Sequence, residues 1–416
     1  MASIILSFVG SQDPFAKTDT EGSIITLVKH LLCDRAEIKQ VLLLHTTGTK
    51  QNAIDTQEWL ESDPVNLAPG AVILMEVNDL LSIDPVNLLL AVEAARLGLE
   101  TAMSYLSAQD VLEFNASSGT PVMKSAWSIL QAAGYAPRSH VWQIRNPKEM
   151  LVNQPRVFKT DVDRLRKEFD LKIIKQQVQD CNYNGALITL QSSELATKAV
   201  AAMLRYGYYR FTLNFDQAFF SASNQMGAGW IEEISDLREK DQRSLLREAY
   251  FNGLIRLKNK QYADFLIGVF RLQEKVLFFL VNEKLGLQIS GRSQRQSWRA
   301  IQRFDEGKLY QHLKQTKVLG GELLRVDGMI NRTVLMAILE YDPQSATILQ
   351  LIKELDDYCN RRNESVHEFV GVSKIENEAR LLTILQEVLG QIVEISSENP
   401  FDRLNRQILQ LLDRLV

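Results

Sequence analysis

Val111-Leu112-Glu113-Phe114-Asn115-Ala116-Ser117-Ser118-Gly119-Thr120-Pro121-Val122-Met123-Lys124 decides the fold class of the first third of this chain. Residues 111–116 form a short β-rich run, the turn after them is polar, and Thr120 before Pro121 pairs an N-cap with a first helical residue. From there Ala126, Trp127, Leu130 and Ala133 recur at helical spacing. A strand that passes through a polar loop into a helix is the building step of an α/β sheet. Further strand-like runs at residues 3–10, 40–46, 71–77 and 141–144 alternate with helical patterns, so residues 1–145 read as an open, mostly parallel α/β domain.

In such sheets ligands sit beyond the carboxyl ends of the strands, at a switch in strand order. Polar loops follow directly on three of the runs: Gly10-Ser11-Gln12-Asp13-Pro14-Phe15, Thr46-Thr47-Gly48-Thr49-Lys50-Gln51-Asn52, and the stretch from Asn115 to Lys124. All are expected to open on one side. Gly119 lets backbone amides approach an anion at the helix start, and Ser117, Ser118 and Thr120 supply hydroxyl donors. The same stretch also reads as a capped turn with no ligand. Neither a dinucleotide glycine fingerprint nor a Gly-Lys-Ser phosphate loop is present, which argues against an ordinary dinucleotide or nucleoside triphosphate.

After Asn146-Pro147 the pattern turns helical and richer in charge, with residues 161–179 reading as an exposed amphipathic helix. The aromatic run Tyr206-Gly207-Tyr208-Tyr209-Arg210-Phe211 suits packing between helices, with base stacking as the alternative. Residues 146–245 are read as a connector and 246–416 as a helical domain. In the latter, residues 261–287 form a long helical pattern, and Arg292, Arg295, Trp298 and Arg299 mark a basic, turn-rich stretch that suits either RNA or solvent. The helical pattern of residues 348–369 carries Ile348, Ile352, Leu355, Cys359, Val366 and Phe369 in its apolar stripe, and Arg362 interrupts that stripe. Asn363 and His367 lie four apart on one face, where the amide can orient the imidazole. A guanidinium to hold phosphate and an imidazole to move a proton are what phosphodiester cleavage requires. A buried arginine beside an exposed histidine is the plainer alternative.

With 416 residues, 45% of them hydrophobic, the chain supports two or three cored domains. A net charge of -4 excludes a protein that coats nucleic acid indiscriminately, and no basic recognition helix of a DNA reader is present. Cys33, Cys181 and Cys359 match no metal or disulfide spacing, and no membrane or export segment is found, so a cytoplasmic protein with free thiols is expected. No carboxylate or histidine cluster has metal-ligand spacing, which favours chemistry without a metal.

Taken in order along the chain, the motifs resemble the CARF-HEPN ribonucleases of type III CRISPR systems. The resemblance rests on Val9-Gly10-Ser11-Gln12-Asp13-Pro14 after the first strand, on Glu21-Gly22-Ser23 before the next helix, and on the loop from Asn115 to Met123. At the far end, Arg362-Asn363 with His367 matches the HEPN nuclease motif. The resemblance implies a Rossmann-like α/β CARF domain followed by an all-α region ending in a HEPN domain. It implies a homodimer in antiviral defence that cuts single-stranded RNA when cyclic oligoadenylate, as tetra- or hexa-adenylate, binds Gly10, Ser11, Gln12, Asp13, Thr46, Thr47, Asn115, Ser117, Ser118, Gly119, Thr120 and Met123. Arg362, Asn363 and His367 of both copies would form one composite, metal-independent endoribonuclease site; for the CARF domain two expectations stand, slow cutting of its own ring through Asn115, Ser118 and Thr120, or binding of the ring alone. The rival expectation is a catalytically silent sensor that regulates or scaffolds a partner.

Overall fold

Strand β1 (Ala2–Phe8) is apolar almost throughout because both of its faces are covered. Ile4, Leu6 and Phe8 enter one core, and Ile5, with Val9 just beyond the strand, enters the other. β1 pairs in parallel with β2 (Glu37–His45) on one side and β4 (Val111–Asn115) on the other. With β3 (Val72–Glu76), β5 (Ser139–Ile144) and β6 (Val157–Thr160) the sheet has the order β3-β2-β1-β4-β5-β6. In this computed structural model the described residues are all except 1, 17–20, 35, 137, 224, 291–292, 319–320, 368–370 and 416, and side chains 163, 357 and 359–367 are also outside the description.

Helices α1 (Ser23–Cys33) and α2 (Lys50–Glu61) share the core of Ile5, Val41 and Leu43. On the opposite face α3 (Asp79–Ile83), α4 (Leu88–Met103) and α5 (Pro121–Ala132) pack over Leu6, Leu44 and Phe114. The chain therefore leaves β1 toward one face and β4 toward the other, and a crevice opens between the two loops at the strands' carboxyl ends. The strands expected from sequence are all present. β6 is not among them: it runs antiparallel to β5 and lies beyond Asn146-Pro147, where the α/β domain had been expected to end. Its four residues include Lys159 and follow Pro155, so no apolar run betrays it.

The chain divides into two compact units, Met1–Asp170 and Leu171–Val416, and the division falls inside α6 (Asp163–Gln179) rather than at residues 145 and 245. The second unit is helical. One of its cores joins Ile174, Tyr183, Leu204, Tyr206 and Ile234 to Phe401, Leu404 and Ile408 of the helix Pro400–Leu412, so the expected connector shares a core with the chain's last helix. Within it Arg210 is buried and donates to Glu248, Glu233 and the Tyr206 hydroxyl. The other core packs the helix Tyr262–Lys284 against the helix Ala346–His367. Buried Gln273 latches the two, donating to the Ile352 carbonyl at 2.9 Å and to Asp356 at 2.7 Å. Among the described residues no helix is long and apolar enough to cross a membrane.

Candidate functional site

A cavity of about 590 Å³ lies at the crevice between β1 and β4. Gly10, Ser11, Gln12 and Asp13 form one wall, and Ser117, Ser118 and Gly119 form another. Glu21, Gly22 and Ser23 at the start of α1 close a third side, and Arg145, Lys148 and Arg156 of the β5–β6 connection, with Lys124, supply positive charge. Arg145, Lys148 and Arg156 went unrecognised in the sequence because the sixth strand did.

Backbone geometry brings the two loops together. Gly119 has φ +88, and a Cβ there would sit 3.1 Å from both Phe8 and Met123. Gly22 is more constrained: a Cβ would fall 2.6 Å from Asp13 Oδ1 and 2.9 Å from the Gln12 and Pro14 carbonyls. Asp13 is the clasp. Its carboxylate accepts from the Gly10 amide at 2.9 Å and from the Ser118 hydroxyl, and Asn52 donates to its backbone carbonyl at 2.7 Å. Burial pushes the Asp13 carboxyl above its usual range, against the opposing pull of Ser118, Gly10 and Lys124.

The remaining residues expected at the site take distinct places. Asn115 is fully buried beneath the cavity, donating to Ser7 at 3.1 Å and Ser23 at 3.2 Å, while its side-chain oxygen accepts from the Ser117 amide. Thr120 caps α5 through a long 3.5 Å bond from the Met123 amide and donates to the Pro85 carbonyl at 2.7 Å. Ser117 accepts from the Ile144 amide at 2.7 Å, tying the loop to β5. Asn115, Thr120 and buried Met123 thus hold the loop from behind and do not line the cavity. Thr46 and Thr47 also lie off its lining: Thr46 closes a turn with Thr49, and the Thr47 amide donates to the Ser82 hydroxyl at 3.1 Å.

The cavity presents backbone, small polar side chains and cations to a ligand. Arg156 donates Nη2 to the Glu21 carbonyl at 3.2 Å, while its buried Nε has no hydrogen-bond partner. An orphaned guanidinium donor at a cavity wall suits an anion. Arg145 lies over the Phe158 ring at 3.7 Å and donates to the Pro155 carbonyl at 2.6 Å, which holds its charge at the rim.

Arg362, Asn363 and His367 belong to the last turns of the helix Ala346–His367, and their side chains lie outside the described residues. Trp298 is buried and donates to the Gly328 carbonyl at 2.8 Å, so it is a packing residue and not a platform for a base. Tyr206 likewise packs inside, edge-on to Trp230. Among the described residues no group of three or more His, Cys, Asp or Glu side chains is arranged to hold a metal.

Residues 234–415 match the model of the Cas_Csm6 HEPN domain. Curated proteins furnish no match. Among solved structures, Enterococcus italicus Csm6 bound to cyclic hexa-2'-fluoro-hexa-dAMP matches with a TM-score of 0.69 at 16% identity, over 100% of either chain. Identity that low speaks to fold alone, and the fold agrees with an α/β domain followed by a helical domain. Residues 234–415 are thus similar to the Csm6 HEPN domain, and the whole chain shares the fold of Csm6.

Proposed function

We propose that this protein is a single-stranded RNA endoribonuclease switched on by cyclic oligoadenylate, a tetra- or hexa-adenylate ring, bound at the cavity between β1 and β4. The observation that carries the proposal is that cavity: two strand-end loops, four cationic side chains and an unpartnered Arg156 Nε, in a chain that ends in a Csm6 HEPN domain. Ring phosphates are anions without a preferred protein side, so backbone amides near Gly119 and the cations of the β5–β6 connection are suitable partners.

A cyclic homo-oligonucleotide has rotational symmetry, which a two-fold pair of sensors can match. Support for a homodimer comes from the apolar surface of α3 and the start of α4, where Leu80, Ile83, Val86 and Leu89 are 57%, 80%, 65% and 79% exposed. That surface adjoins the site through the bond from Thr120 to Pro85. In the dimer two copies of Arg362, Asn363 and His367 form the nuclease site. The RNA 2′-hydroxyl attacks the adjacent phosphorus and leaves a 2′,3′-cyclic phosphate and a 5′-hydroxyl; His367 handles the proton, Arg362 stabilises charge on the phosphorane, and Asn363 orients its neighbours. Because the nucleophile comes from the substrate itself, the reaction runs without a metal. Slow cleavage of the bound ring serves as a timer on the signal, with Asn115 acting through Ser23 because it lies beneath the cavity floor.

The test is cleavage of a fluorescent RNA with and without synthetic cyclic tetra- and hexa-adenylate, in chelator. Ring-dependent cleavage is expected. Ring binding without cleavage would instead support the silent sensor, and neither binding nor cleavage defeats both readings.

A further inference from the structure

The helix Gln294–Arg303 carries arginines at 295, 299 and 303, four apart, so that they form one stripe. All three are exposed. The opposite face is anchored: Ser297, Trp298 and Ile301 are buried, the Ser297 hydroxyl donates to the Ser290 and Ser293 carbonyls, Trp298 bonds to Gly328, and the Ile330 amide donates to Gln294. The stripe therefore rides on a fixed helix. Among the described residues none of the three makes an ion pair, hydrogen bond or ring contact, whereas Arg332, Arg380, Arg403 and Arg406 in the same unit are paired with carboxylates. The next acidic residues along the chain, Asp305 and Glu306, themselves form a backbone break with φ 46 and 54, and Asp305 is taken by Tyr341 and Lys308.

We infer that Arg295, Arg299 and Arg303 form a track for the phosphate backbone of the RNA substrate, separate from the cleavage motif. The inference rests on the nuclease reading given above and extends it to how substrate is held. A rise of about 1.5 Å per residue sets neighbouring guanidinia about 6 Å apart along the axis, comparable with successive phosphates of an extended single strand. The helix and the one that carries Arg362 are anchored in the same apolar core, through Trp298 and Ile301 on one and Ile348, Ile352 and Leu355 on the other. In a chain of net charge -4, an unneutralised row of three arginines is a local attraction for a polyanion. An acidic protein would meet the same charges but has no reason to match their even spacing.

The experiment is fluorescence anisotropy of a labelled, uncleavable 2′-O-methyl single strand on the full chain, with a salt series, beside cleavage of long and very short RNA by the activated protein. Arg295→Gln, Arg299→Gln and Arg303→Gln together should weaken binding roughly 10-fold or more and lower the slope of log affinity against log salt by about 2, at about 0.7 for each phosphate left without its arginine. The corresponding triple lysine variant should restore most of the slope. Long RNA should show a raised KM with kcat retained at saturation, and a substrate too short to reach the helix should be cut as before. Unaltered affinity and salt slope in the glutamine variant overturn the track. Because anisotropy reads binding without chemistry, absence of cleavage in the parent protein would count against the nuclease reading alone.

Discussion

Arg210→Met separates the charge network of the second unit from its packing. Arg210 is 2% exposed and Glu248 is 3% exposed. The guanidinium grips that carboxylate with two bonds, Nε at 2.7 Å and Nη2 at 2.6 Å, and adds Tyr206 and Glu233 at 2.9 Å each. Methionine keeps much of the apolar stem, so the surrounding side chains stay packed, but Glu248 remains buried without its cation. Breaking a buried pair in this way costs about 3–5 kcal/mol, a large part of the roughly 5–15 kcal/mol that holds a domain folded. Replacing both partners, Arg210→Met with Glu248→Leu, removes the uncompensated charge and should return the protein to within about 2 kcal/mol of the parent. Urea denaturation read by hydrogen exchange over residues 198–258 measures all the variants in the intact chain. A single-variant cost below about 1 kcal/mol, or a double variant as unstable as the sum of the singles, would refute the reasoning.

Gly22→Ala must displace the Gln12 and Pro14 carbonyls as well as Asp13, so ring affinity by calorimetry should fall at least about 10-fold; an unaltered affinity would show that the clasp is not needed. Lys124→Glu reverses a charge at the cavity wall and should weaken ring binding by about 1–3 kcal/mol, most strongly at low salt; equal binding at every salt concentration argues against phosphate at that wall. Burial raises the Asp13 carboxyl above its ordinary 3.8, so the protonated form's stabilising contribution is complete below that value and is lost as pH rises through the folded pKa. Asp13→Asn, which stays neutral, should therefore gain stability relative to the parent as pH rises above the carboxyl's ordinary value in urea melts, and the opposite slope would exclude a raised carboxyl. Arg362→Ala and His367→Ala should each abolish RNA cleavage while calorimetry still detects ring binding; full activity in either removes that residue from the mechanism.

The parallel sheet was legible because burial on both faces leaves apolar runs in β1 and β2. The Thr120-Pro121 helix start was legible for a local reason, since cap chemistry is written in adjacent residues. β6 was not, because an edge strand of four residues needs only hydrogen bonds from β5 and leaves no apolar signature. With it went Arg145, Lys148 and Arg156, whose approach to Ser11 and Ser118 depends on the hairpin. The split of the polar residues into cavity lining and supporting layer was also hidden. Asn115 and Ser118 look alike as polar loop residues, and only the depth of the crevice puts one beneath the floor and the other on the wall.

β1 finds its second neighbour late: the bond from Asn115 to Ser7 joins residues 108 apart. On a ribosome working at roughly 5–20 residues per second, the first strand emerges several seconds before β4 can pair with it. During that interval Gly10 to Asp13 has no opposing Ser118 to hold it, and Asp13 has not yet acquired its hydroxyl donor. The cavity is therefore a product of completing the sheet's centre and cannot be assembled from its first half. A nascent chain halted before residue 111 would lack Ser117, Ser118 and Gly119, and with them one wall of the cavity, so a ligand that needs both walls could bind only the completed sheet.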